Sequence, residues 1–348
     1  MPRTVLITGG CGFIGTNVAD FYLKRGCKVI SFDNLSRAGA KENLKWLKKQ
    51  RGDFIFVKGD IRNDKKLLET FKKYKPDLVL ALAAQVTMVD SVKNPRYDFE
   101  VNALGTFNTL EAMRKTKSKA VAVYSSTNKV MGALNNIPVI EKKKRYVFKN
   151  IKGISEEYPL EGCGPYGCSK LAGDQYTLDY SRIFGLNTVV FRQSGIYGPH
   201  QFGIEEQGWL AWFCNALLFD KPVTIFGNGK QVRDVLYIDD LLRAFDLTFK
   251  NIKKTRGEAY TIGGGPNFSL SIWELFEILE KLAGKKFNYK FGPWRPGDQK
   301  VYISDVSKAK KDFGWQPLIS PKEGVKKLYN WISQNKTLIK KAGVFKSR

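Results

Sequence analysis

Two short stretches far apart in the chain bear on one chemical event. Val5-Leu6-Ile7-Thr8-Gly9-Gly10-Cys11-Gly12-Phe13-Ile14-Gly15 reads as an apolar strand running through a glycine turn into a helix. Tyr166-Gly167-Cys168-Ser169-Lys170 sets a phenol and an ammonium one helical turn apart. The first pattern is suited to grip a dinucleotide. The second can take a proton from an alcohol while hydride leaves its carbon. A free tyrosine ionises near pKa ~10, too high for a base at neutral pH. A nearby ammonium and a positive nicotinamide ring would lower that value. Tyr124-Ser125-Ser126-Thr127 closes an expected strand at the carboxyl edge, where such sheets bind ligands. There the hydroxyl of Thr127 or of Ser126 could share the substrate proton with Tyr166, the bland alternative being a cap on the next segment. Together these residues imply redox chemistry on a hydroxyl group.

Such groups need a scaffold. Residues 4–8, 28–32, 53–58, 78–82, 120–125 and 188–191 read as apolar, β-branched strands. Helices are expected at 65–75, 101–115 and 165–183, and Phe13, Ile14, Val18, Phe21 and Tyr22 share one helical face. This alternation predicts an α/β fold, a Rossmann-type doubly wound parallel sheet covered on both faces. Residues 132–164 break the pattern; their length and their place just before Tyr166 predict a functional lid. Beyond them the sequence predicts helices at 205–218, 238–249, 271–283 and 322–333. Strands are expected at 222–226 and 259–262, the last rejoining the sheet. The expected division is a dinucleotide-binding domain over 1–192, with a segment returning near 234–264. A smaller interleaved α/β substrate domain takes 193–233 and 265–340.

Bulk properties narrow the class. The chain has 348 residues, 43% of them hydrophobic, and no run of eighteen apolar residues that would span a membrane. A strand begins within three residues of Met1, leaving no room for a signal peptide, so a cytoplasmic location is expected. Five cysteines form no Cys-x-x-Cys pair and His200 is the sole histidine, so no metal site is expected. The net charge of +25 would suit a nucleic acid or an anionic membrane. Its basic residues are spread along the chain without an RNA-binding motif, and a solvated lysine-rich shell is the reading preferred.

In the glycine turn, Gly9 permits the tight bend, Gly12 lets a pyrophosphate approach the backbone, and Gly15 lets helix and strand pack. Asp33 ends the next strand, where a carboxylate bonds a ribose diol and repels a 2′-phosphate, favouring NAD over NADP. Arg37 nearby points the other way, since a guanidinium welcomes that phosphate. Asp60 and Ile61 would lie near the adenine, and Ala83 and Ala84 near the cofactor.

Several motifs stand in one order: Thr8-Gly9-Gly10-x-Gly12-Phe13-Ile14-Gly15, Asp33-Asn34-Leu35-Ser36, Gly59-Asp60-Ile61, Leu82-Ala83-Ala84, Asn102-x-x-Gly105-Thr106, Tyr166-x-x-x-Lys170 and Arg192-Gln193-Ser194-Gly195-Ile196-Tyr197-Gly198-Pro199. With them, over nearly its whole length, the chain resembles the extended short-chain dehydrogenase/reductases, in the group of nucleotide-sugar epimerases and dehydratases. The resemblance implies NAD held by the glycine turn, Phe13, Ile14, Asp33, Asn34, Ser36, Arg37, Asp60, Ile61, Leu82, Ala83, Ala84, Asn102, Ser125, Tyr166 and Lys170. It implies a nucleotide sugar met by Gln85, Thr127, Asn128, Lys129, Gln193, Ser194, Gln207, Arg233 and Arg295. Arg233 follows Ile225-Phe226-Gly227-Asn228-Gly229 and Arg295 opens Arg295-Pro296-Gly297-Asp298. By resemblance both contact a diphosphate, which suits forked guanidiniums with no obvious carboxylate mates.

Dehydratases of the group carry Asp-Glu after the catalytic threonine, whereas Asn128 and Lys129 stand here. An amide and an ammonium cannot replace that carboxylate pair, which leaves oxidation and return of hydride, that is, epimerisation. Residues 125–130, 179–192 and 207–214 resemble the subgroup that inverts C2 of a CDP-linked hexose. Met131 and Gly195 depart from the wider group's Tyr and Asn. Inversion at C4 of a UDP-sugar needs the same oxidation and stays open. A redox-inactive relative binding RNA is a rival from another class, and would show steeply salt-dependent RNA binding. The resemblance implies a homo-oligomer, dimer or tetramer, with neither nucleic acid nor membrane as partner. Trp209 and Trp212 lie either in a nucleobase pocket or in the core.

Overall fold

Strand β1 (Thr4–Thr8) alternates Val5 and Ile7 toward one packed layer and Leu6 toward another. Both faces of the sheet are therefore covered, which is why its strands are continuous apolar runs rather than alternating ones. The computed structural model describes residues 1–295 and 297–345. Its central sheet adds β2 (Lys28–Asp33), β3 (Phe54–Lys58), β4 (Leu78–Ala81), β5 (Val121–Thr127), β6 (Asn187–Gln193) and β7 (Ala259–Ile262). All seven run parallel, in the order β7-β6-β5-β4-β1-β2-β3. The chain reverses direction across the sheet between β1 and β4, so the crevice at their carboxyl ends is the switch point where ligands bind.

The expected strand at 259–262 rejoins the sheet as its edge, with Tyr260 opposite Phe191. Strands β5 and β6 run two residues further than expected. Their pairing reaches Thr127 opposite Gln193, which carries both side chains to the crevice. The helix expected at 101–115 opens with a π turn over Glu100–Leu104 before Gly105–Lys115 continues as α-helix. The helix expected from 205 begins only at Trp209, after Gly208 at φ 76°, leaving 205–208 as irregular wall.

Residues 132–164 are no free lid. Strands Val139–Glu141 and Tyr146–Phe148 form an antiparallel hairpin. Tyr146 and Phe148 pack with Val130, Met131, Val232 and Tyr302 in a separate apolar cluster. Arg145 pairs with Glu274, Lys230 with Glu141, and Ile154 bridges to Ser304. The segment is a clamp joining β5 to the second half of the chain. There Val232–Tyr237 pairs with Gly195–Tyr197, Ser269–Ser271 and Val301–Tyr302, while Val223–Phe226 pairs with Tyr289–Gly292.

Among the described residues no cluster of His, Cys, Asp and Glu could hold a metal, and no helix is long and apolar enough to cross a membrane. His200 lies between the rings of Trp46 and Trp331 and hydrogen-bonds Asn43. Burial pulls its pKa down to about 4. The unfolded chain therefore binds one more proton than the folded one between about pH 6.5 and pH 4. Stability is expected to fall by about 3 kcal/mol as pH drops through that window. Urea midpoints of the wild type and His200→Gln at pH 7, 5.5 and 4.5 check this. Equal pH slopes for the two proteins would show that the imidazole contributes nothing.

Candidate active site

The glycine turn leaves β1 directly into the switch point. Gly9 takes φ 71°, in the left-handed region that favours glycine, and a Cβ there would meet the Ala83 nitrogen at 2.8 Å. A Cβ on Gly15 would fall 2.3 Å from the Gly9 carbonyl oxygen, so helix and turn touch through backbone alone. Gly12 caps the helix Phe13–Leu23 without a side-chain bond, and a Cβ on it would meet only the Gly9 oxygen, at 3.2 Å. Its outward face is thus a cradle that a methyl group would fill, at a helix N-terminus suited to phosphate. Asp33 accepts from the backbone of Cys11 at 2.9 Å and Leu35 at 2.7 Å, fixing its carboxylate beside the turn. Asn34 donates to Asp60, which Arg62 grips and holds down at about 2. Ser36 donates its backbone N–H to Asn34, while Arg37 turns to Gln207 at 3.0 Å. These residues fit a dinucleotide with a free ribose diol.

Gly12→Ala adds its methyl group where little protein stands. It is expected to lower the melting temperature by no more than a little, since only the Gly9 carbonyl must give, and to weaken NAD about tenfold or more, as losing one charge-assisted phosphate contact would. NAD released from the denatured variant measures this; wild-type content would remove the turn from cofactor binding.

A cavity of about 460 Å³ opens beside the turn. Phe13, Ile14, Leu82 and Ala84 line it, with Ser125–Lys129, Tyr166, Lys170, Gln193, Ser194, Gln207, Arg233 and Arg295. Of the expected substrate residues only Gln85 is absent from the wall. Its side chain folds back onto Thr87, and Asn102, expected at the cofactor, is equally buried. Asn102 accepts from Gln85 and donates to Asp98 and Ser169, bracing the crevice against the tyrosine helix, Gly164–Phe184. Short hydrophilic side chains next to a motif read the same in sequence whether they face a ligand or the protein.

Of the two expected hydroxyls, Thr127 is the one whose side chain acts on the phenol, drawing its pKa down, while its own hydroxyl donates to the Asn128 amide oxygen at 3.3 Å. Ser126, one residue earlier on β5, points to the opposite face and donates to Asp174 at 2.8 Å. Lys170 departs from expectation: its ammonium donates to the Ser125 carbonyl and lies 4.2 Å from the Tyr124 ring centroid. Burial pulls it down to about 7, against the opposing fields of Asp174 and Asp98. Burial also pushes the Tyr166 phenol up to about 12, opposed by the Thr127 side chain. In the protein alone the phenol is thus a poor base, and positive charge arriving in the cleft is what would activate it.

At the far wall, Arg233 has the carboxylate mate that the sequence hid. Asp298 lies 2.5 Å away, and the same guanidinium donates to the carbonyls of Gln299 and Val232. Arg295 stacks on Phe226, 3.8 Å from its centroid; Pro296, next in that motif, lies outside the described residues. Asn128 donates to Gln299 and Lys129 to the Gly297 carbonyl. Ser125 donates to Gln193, and Ser194 to the Asp234 carbonyl. Trp209 and Trp212 do both things asked of them, lining the cavity and packing against the core. Val86, Met88, Glu205 and Glu206 also stand in the wall, unannounced by any motif.

A parallel sheet with a glycine cradle at its switch point and a phenol at the mouth of β5 defines a nucleotide-sugar enzyme of the short-chain dehydrogenase/reductase type. The chain belongs to the family described as GDP-mannose 4,6 dehydratase, whose family model matches residues 6–328. It is 47% identical over 335 residues to the CDP-paratose 2-epimerase of Salmonella typhi, covering 94% of this chain and 99% of that one. It is 34% identical over 334 residues to a putative UDP-glucose 4-epimerase of Methanocaldococcus jannaschii, covering 95% and 99%. The UDP-glucose 4-epimerase of Thermotoga maritima, solved with UDP-glucose, superposes with a TM-score of 0.82 at 31% identity, covering 96% and 99%. The UDP-glucuronic acid 4-epimerase of Bacillus cereus, solved with UDP-glucuronic acid and NAD, gives 0.82 at 28% identity, covering 95% and 99%. The protein is an isomerase-type enzyme, a nucleotide-sugar epimerase, and its cofactor is NAD.

Proposed function

We propose that this epimerase inverts C2 of a CDP-linked hexose of the paratose and tyvelose type. One observation carries the reading: the two side chains after Thr127 are an amide and an ammonium tied to Gln299 and Gly297. No carboxylate pair follows Thr127 to expel water from the sugar, so oxidation must be undone rather than followed by elimination. The 47% identity to a CDP-paratose 2-epimerase supports the choice of C2 and of CDP. We further assign the cofactor half to 1–192 with the returning segment 234–264, and the nucleotide-sugar half to 193–233 and 265–340. The working assembly is a homo-oligomer.

Bound NAD supplies a hydride acceptor for one half of the cycle and a donor for the other, held by the glycine turn and Asp33. Tyr166 takes the proton of the substrate hydroxyl, and Thr127 holds that hydroxyl's oxygen. Lys170, anchored on the Ser125 carbonyl one helical turn from Tyr166, lines the cavity and, in its protonated form, would favour the phenolate. Arg233 and Arg295 hold the diphosphate while the oxidised sugar turns about that link and shows its other face. Tyr166 then returns the proton. Incubation with CDP-, GDP- and UDP-hexoses, followed by NMR of the products, tests this. C2 inversion confined to the CDP-sugars is expected; C4 inversion of a UDP-sugar would replace the reading.

A further inference from the structure

The tyrosine helix carries an ammonium whose own contacts answer none of its charge. Lys170 is buried, and its partners are the Ser125 carbonyl and the Tyr124 ring. Two carboxylates act on it through their fields, Asp174 more strongly than Asp98. Asp174 is already gripped by both arms of Arg192. Asp98 is fully buried on the helix Pro95–Phe99, and its hydrogen-bond partners among the described residues are neutral, Ser169 and Asn102. A buried carboxylate without a cation is costly. Burial accordingly pushes its pKa up, opposed by Ser169, by the field of Lys170 and by Asn102. Asp98 and Lys170 are thus two buried charges of opposite sign, each without an ion pair of its own among the described residues.

Ser169 is the strap between them. It lies in the turn between Tyr166 and Lys170, donates to Asp98 and accepts from Asn102 at 3.1 Å. Its hydroxyl oxygen is also 3.1 Å from the Tyr166 carbonyl. The π turn Glu100–Leu104 follows directly on the helix of Asp98, and from it Asn102 donates back to that carboxylate at 3.2 Å. Such turns are frequent beside functional sites. Asp98 therefore holds the one turn of helix whose two ends serve the proton. Two further ionisable groups stand near the pair. Tyr124 on β5 has its phenol pushed far up by burial, and the field of Arg37 acts on Tyr166 in the sense opposite to that of Asp98.

We infer that Asp98 is a positioning residue for the proton transfer: through Ser169 it fixes the Tyr166–Lys170 turn, and its carboxylate is the counter-charge of the Lys170 ammonium. The inference rests on the roles given to Tyr166 and Lys170 above and is independent of which carbon is inverted. Its substrate is whichever nucleotide hexose the wild type turns over, so failure of the C2 reading leaves the test intact. Asp98→Asn keeps the shape of the side chain and an acceptor for Ser169, and deletes the charge. Turnover of the NAD-loaded wild type and variant is followed between about pH 5.5 and 9.5. Without the anion the ammonium is lost at lower pH, and the phenol, which Asp98 also holds up, ionises at lower pH. Both changes move the profile the same way. It is expected to shift acidward by about one pH unit, so that the ratio of variant to wild-type rate falls about tenfold or more from the acid to the alkaline end. A profile left in place, lowered uniformly or not at all, overturns the inference, because a mere brace scales the rate alike at every pH. Should Asp98→Asn not fold, Ser169→Ala decides. It cuts the strap and leaves both charges, so the rate should drop about tenfold with the profile in place. A wild-type rate in Ser169→Ala, or a shifted profile, overturns the inference as well.

Discussion

Tyr166→Phe is expected to lower turnover by about 10²–10⁴-fold, the usual loss when a general acid-base is removed. The ring should stay in place, because Tyr166 lines the cavity and is not part of the packed core. Melting temperature and NAD content should therefore stay near wild type, which separates lost chemistry from lost folding. Thr127→Val should reduce turnover less, since it removes a side chain that opposes the burial shift on the phenol but leaves the phenol itself. Steady-state rates on the CDP-hexose decide both. A Tyr166→Phe enzyme turning over within a few-fold of wild type would mean that another group moves the proton.

The second large effect lies behind the site. Asp174 is fully buried on the tyrosine helix and takes both arms of Arg192, each at 3.0 Å, as well as the Ser126 hydroxyl. Arg192 is on β6 and Ser126 on β5, so one carboxylate ties the helix that carries Tyr166 to the two strands that end at the cleft. Asp174→Ala strands a buried guanidinium, and a loss of about 3–5 kcal/mol is expected. For a chain of this length that is a drop in melting temperature of about 5 °C. The double replacement Asp174→Leu with Arg192→Met should recover most of it, because breaking such a pair costs more than deleting it. A single variant that melts with the wild type would show that the pair contributes nothing to the fold.

Much of this was legible in residue order. The strands, the glycine turn and the Tyr-x-x-x-Lys spacing are set by neighbours within about one turn or one strand, where side-chain periodicity has a direct geometric meaning. The strand at 259–262 is likewise expected to rejoin the sheet, and it pairs there with β6. The comparisons agree with the family, the fold and NAD as read from those motifs.

What needed the tertiary structure is the pairing of side chains far apart in sequence. Whether Ser126 or Thr127 meets the phenol depends on how far β5 extends and which face each residue takes. That Lys170 binds the Ser125 carbonyl, that Asp298 answers Arg233, and that 132–164 packs as a clamp are all decided by strand order and loop packing. The physical reason is range. Periodicity and steric preference act along a few residues of chain, while a buried charge finds its partner only through space, after the sheet has chosen which distant segments become neighbours.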